Sequence, residues 1–116
     1  MSQIQKDFNT AWTKITEQGR PSQAAGGQCL YNGPDGTHCA FGHLLTEKEL
    51  SKVNEVELNQ LYADEEIPKR FKGHKEFYQE LQRCHDDAAT DNGDFVTNFQ
   101  TYMRALAQQY NLGVPQ

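Results

Sequence analysis

The chain has 116 residues, 36% of them hydrophobic and 23% charged, with a formal net charge of −5. That length suits a single domain over residues 1–116 with one modest core, and leaves no room for a second. The acidic balance argues against direct nucleic-acid binding, which needs a basic face, and no stretch approaches the roughly 20 apolar residues of a membrane span.

The N-terminal residues MSQIQKDFNT hold no apolar run, so no secretory signal is expected and a cytoplasmic location is. The three cysteines are an odd number, and a reducing compartment disfavours a structural disulfide. Ile4, Phe8, Ala11, Trp12 and Ile15 recur at helical spacing and predict a helix over 3–18, with Trp12 in the core. Gly19 and Pro21 stop it. Residues 22–28, SQAAGGQ, read as a flexible connector.

Residues 29–39 predict a β-hairpin. Asn32-Gly33 is one turn signal, but Pro34 follows it badly because proline cannot donate to a ladder. Pro34-Asp35-Gly36 is the stronger signal. Folding the chain about Pro34 sets Tyr31 opposite Thr37 and Cys29 opposite Cys39, with paired Cβ atoms about 5 Å apart.

From Ala40 the pattern turns helical, with Phe41, Leu44 and Leu45 apolar. Thr46-Glu47-Lys48-Glu49 is a capping box for a short helix, and Asn54 is placed to cap another that carries Val56, Leu58 or Leu61, and Tyr62. The charged residues 64–73, broken by Pro68 and Gly73, read as a surface loop. Phe77, Leu81, Cys84, His85 and Ala88 share one face of a helix over 74–90, which Asp91-Asn92-Gly93 ends. Asp94 caps a last helix over 95–110, and the tail from Asn111 reads as loose. The fold class is therefore mainly α: four to five helices around one core, with a short hairpin near 29–39.

Several residue sets could carry chemistry. Cys29, Cys39, His43 and His85 offer thiolate and imidazole ligands that suit zinc, although no C-x-x-C is present. Cys29 or Cys39 with His85 has the residue types of a nucleophile pair. Asp86 follows His85 directly, about 100° around the helix, which is a poor position for orienting the same ring. His85 on an apolar face reads better as a core residue that locks its helix to the hairpin, bonding a backbone carbonyl while Asp86 accepts from loop N–H groups. Arg20, Ser22, Gly26 and Gly27, with Tyr31, Asp35, His85 and Asp86 nearby, could cradle a nucleotide-like anion. Asp64-Glu65-Glu66 and Asp86-Asp87 read as solvated surface.

Three segments taken together carry a resemblance. They are Gln18-Gly19-Arg20-Pro21-Ser22; Cys29-x-Tyr31-x-Gly33-Pro34-Asp35-Gly36 followed by Cys39-Ala40-x-Gly42-x-Leu44; and Leu81-Gln82-x-x-His85-Asp86. The chain resembles a family of small uncharacterised proteins from bacterial genomes and phages. The resemblance implies that the 29–39 segment and the Leu-Gln-x-x-His-Asp helix belong together. It implies no activity. A phage setting implies a non-enzymatic accessory factor that inhibits or modulates a host defence protein. The alternatives are a nucleotide-like small-molecule binder or sponge, and a Cys/His enzyme or zinc-stabilised module.

Overall fold

The computed structural model describes residues 1–53 and 55–115. Five α-helices form among them: α1 (Gln3–Gln18), α2 (Glu47–Val53), α3 (Leu58–Ala63), α4 (Lys75–Thr90) and α5 (Phe95–Tyr110). Capping residues bound the elements locally. Ser2 accepts from Gln5 N at the start of α1, and Gly19 closes it with φ 75°. Asp94 accepts from Thr97 N at the start of α5, and Asn111 closes it with φ 57°. The Thr46–Glu49 capping box forms reciprocally: Thr46 N donates to Glu49 Oε1 at 2.9 Å and Glu49 N to Thr46 Oγ1 at 3.2 Å. Asn54, expected as the next cap, lies outside the described residues; α3 starts after Glu57.

The core forms where the apolar faces of α1, α4 and α5 meet. α4 and α5 pack side by side, and α1 lies against α5. Phe8, Ile15, Tyr78, Leu81, Phe99 and Met103 are fully buried there, and Trp12 is buried beside them. A carboxylate crosses this core. Asp7 accepts from the Tyr78 hydroxyl at 2.5 Å and from Gln3 Nε2 through both oxygens, which ties α1 to α4.

Two expected surface segments are in fact part of this packing. Within 64–73, Ile67 and Phe71 are buried, and the Phe71 ring packs tilted against Phe41 and edge-to-face with Tyr78, its centroid 4.8 Å from each. Its charged neighbours face outward, so composition alone misjudged the segment. Nor is the tail loose over residues 112–114. Gly113 exchanges two hydrogen bonds with the Gln5 side chain, and Leu112 and Val114 pack on the core.

No strand forms among the described residues, which corrects the expected 29–39 hairpin. Cys29 is bridged to Gln23, not to Cys39, and Leu30 N donates to Ser22 O at 3.0 Å. The Pro34–Gly36 turn does form, with Asp35 at φ 58° and Gly36 at φ 75°. It closes a single pair, Gly33 N to Thr37 O at 2.8 Å, so Thr37 faces Gly33 and not Tyr31, two residues out of the expected register. No ladder continues, because the backbone groups beyond it are taken by side chains from elsewhere in the chain.

Two glycines mark where segments of this region touch. A Cβ on Gly42 would run into the Tyr31 carbonyl, and one on Gly33 into the Ser22 hydroxyl. Gly26, by contrast, faces open space. Gly42→Ala should therefore cost about 1–3 kcal/mol by overpacking, while Gly26→Ala should stay within about 0.5 kcal/mol of wild type. Urea unfolding of both variants checks this, and equal stabilities would contradict the close approach.

Candidate functional site

Residues 19–46 run between α1 and α2 with two 3₁₀ turns and one isolated bridge but no α-helix or strand of their own, and buried backbone there still requires hydrogen-bond partners. Side chains supply them. From α1, Gln18 Oε1 accepts from His38 N and the His43 ring, both at 2.9 Å, while its Nε2 donates to the carbonyls of Arg20 and His38. From α4, Gln82 Oε1 accepts from Phe41 N at 2.9 Å. Glu55 spans two successive amides, Tyr31 N at 2.7 Å and Asn32 N at 3.2 Å.

The central partner is His85. It is fully buried on α4, and its Nε2 accepts from Ser22 N at 3.1 Å. A backbone N–H can only donate, so the neutral ring carries its proton on Nδ1. Nδ1 lies 2.9 Å from Asp86 Oδ1, which also accepts from Gln82 Nε2 at 2.9 Å. The expectation that Asp86 could not orient this ring is thereby corrected. Successive helical side chains splay apart at Cβ, but Nδ1 is the ring nitrogen nearest the backbone and the aspartate is short. The lock between helix and loop exists with its polarity reversed: the ring accepts from the loop, and the Tyr31 and Asn32 amides go to Glu55, not to Asp86.

Cys29 completes the cluster. Polar atoms of Cys29, His85 and Asp86 lie within 4.8 Å of one another. Partial burial and the neighbouring Asp86 carboxylate push Cys29 up to about 12. It is a protonated thiol at neutral pH, and the imidazole beside it has both nitrogens committed. This arrangement does not activate a nucleophile.

The four residues considered as zinc ligands do not converge. Cys29 and His85 meet, but the buried Cys39 sulfur accepts from Gly42 N at 3.3 Å and His43 is bound to Gln18. Burial, with His38 close by, lowers His43 to about 4. The Cys29, His85 and Asp86 trio also fits a metal poorly. A metal on Nδ1 would place the ring proton on Nε2, facing the Ser22 N–H, whereas a metal-ligating histidine normally directs its other N–H at an acceptor.

The anion cradle is likewise dispersed. Arg20 lies 3.6 Å from Asp35 on the surface, and Gly26 and Gly27 form an exposed turn in which Gly27 N donates to Ala24 O. Ser22 is fully buried and its hydroxyl has no hydrogen-bond partner. Tyr31 and Asp86 of that set line a cavity together. It is a cleft of about 590 Å³ between the 28–31 turn, residues 55–59 and α4, a size typical of ligand sites. Carboxylates of Glu55, Glu57, Asp86 and Asp87 line it against one guanidinium, Arg83. Arg83 is itself paired with Glu80 at 3.0 Å.

Three residues that organise the site are assigned no role from the sequence, although Gln18 and Gln82 stand in the segments that carry the resemblance. Gln82 stands four positions before Asp86, a spacing that places both on one helix face. No spacing links Gln18 to His38 and His43, or Glu55 to Tyr31 and Asn32, since these partners are 20 or more residues away. The chain matches no protein-family model, no curated protein and no solved structure.

The protonated thiol gives a direct check. Iodoacetamide at about pH 8 should alkylate Cys29 at least roughly a hundredfold more slowly than free cysteine. Alkylation at the free-thiol rate would show that the site activates Cys29 after all.

Proposed function

We propose that this is a small non-enzymatic binding protein that receives a basic segment of a partner protein in the cleft beside α4. The observation that carries this reading is the cleft lining, where Glu55, Glu57, Asp86 and Asp87 stand against Arg83. Glu57 and Asp87 are exposed at its rim. Opposite charge steers encounter and rejects wrong partners, and the net charge of −5 extends that field across the molecule. The protonated Cys29 and fully engaged His85 support binding over catalysis. A nucleotide-like ligand would bring phosphates into an acidic cleft, and the residues expected to cradle it are scattered.

The resemblance to small phage and bacterial proteins supports one role: a phage accessory factor acting in the host cytosol, which inhibits or modulates a host defence protein through a basic surface. No helix among the described residues is long and apolar enough to cross a membrane, which suits that setting.

Reversing the rim charges tests the reading. Tagged wild type should capture a basic protein from host lysate. The Glu57→Lys, Asp87→Lys double variant should lose at least about tenfold in affinity, and added salt should weaken the wild-type complex. Capture that ignores both changes, or no capture at all, would overturn it.

A further inference from the structure

The hydrogen bond between Ser22 and His85 has a property that the other loop contacts of α4 lack. The acceptor, His85 Nε2, is a titratable atom, and its counterpart, Ser22 N–H, can only donate. Nδ1 already holds the ring proton, directed at Asp86 Oδ1. A second proton therefore has one place to go, and there it turns acceptor into donor against the Ser22 N–H. We propose that His85 is a proton-operated latch: on protonation it exchanges its bond to Ser22 for an ion pair with Asp86, and releases the turn over residues 22–30.

The surroundings permit this exchange. Asp86 and Cys29 lie beside the ring, and Asp86 receives the new positive charge. From α5 the ring meets the edge of Phe95, at 5.5 Å. His43, an imidazole within electrostatic reach, is held neutral until about pH 4 by burial and the neighbouring His38, and so does not compete in mildly acidic solution.

The turn is built to leave as a unit. Ser22 O holds Leu30 N, Gln23 bridges to Cys29, and Ala24 N donates to Gln28 O at 2.7 Å. These contacts are internal to the turn and survive its movement. The Ser22 hydroxyl is fully buried without a partner, and opening would hydrate it, which favours release. Gln28 and Cys29 form part of the cleft wall, so the same proton would reshape the cleft.

The free protein suffices for the test, so failure of partner binding would leave the latch standing or falling on its own. In ¹⁵N-labelled protein, the His85 ring nitrogens and amide exchange are followed from about pH 8 to about pH 5. After correction for intrinsic rates, exchange at Ser22 should quicken at least about tenfold with the midpoint of His85 protonation, while α1 and α5 keep their protection. His85→Gln keeps an acceptor without a titrating group, and Ser22 protection should become independent of pH. A charged His85 with Ser22 still protected would overturn the proposal. So would a ring that stays neutral until global unfolding, or a His85→Gln variant that still releases the turn. Should that variant fail to fold, the wild-type correlation decides.

Discussion

One hydrogen bond organises the molecule: the Ser22 amide donating to Nε2 of the buried His85 at 3.1 Å, across 63 residues of sequence. It sets the ring's tautomer, and the tautomer directs Nδ1–H at Asp86. Asp86 then accepts from Gln82 as well, and Gln82 holds Phe41. One face of α4 thus grips the long irregular segment at both ends. A buried donor left without such a partner would carry its full desolvation cost, so these contacts are obligatory companions of the loop's burial.

The reach of each interaction explains why the helices were legible in the sequence and the loop was not. α1 and α5 span the residues that apolar spacing and capping signals mark out, and α4 starts one residue later than expected. Those signals act within a few residues. The 29–39 segment carries turn residues that also act locally, and the Pro34–Gly36 turn duly forms. The path of the chain on either side of that turn is set by distant residues. Gln18, Glu55, Gln82 and His85 claim the backbone groups around it, and none of them advertises its target by spacing. Phe71 was hidden for a related reason, since one aromatic among charged residues shows no period although it sits between Phe41 and Tyr78.

For the site, residue types were legible and polarity was not. His85 was expected in the core, joining helix to loop, and it is there. Whether the ring would donate or accept depended on a backbone amide 63 positions away. That detail decides the chemistry. A ring that accepts from an amide and donates to Asp86 cannot also deprotonate Cys29, and it presents no lone pair suited to a metal. The Cys29 thiol, held at about 12, is an inert part of a cleft wall. The proposed function therefore rests on the carboxylates that line the cleft, Glu57 and Asp87 above all, and not on the cysteines.

The tautomer of His85 is the most direct measurement of this grip. Long-range ¹H–¹⁵N correlation spectra at about pH 7 distinguish the two neutral tautomers and the cation. The expected result is a proton on Nδ1 and an unprotonated Nε2, with the Ser22 amide strongly protected from exchange. A ring protonated on Nε2 would contradict it, because that nitrogen could not then accept from Ser22 and the grip of α4 on the loop would need another origin.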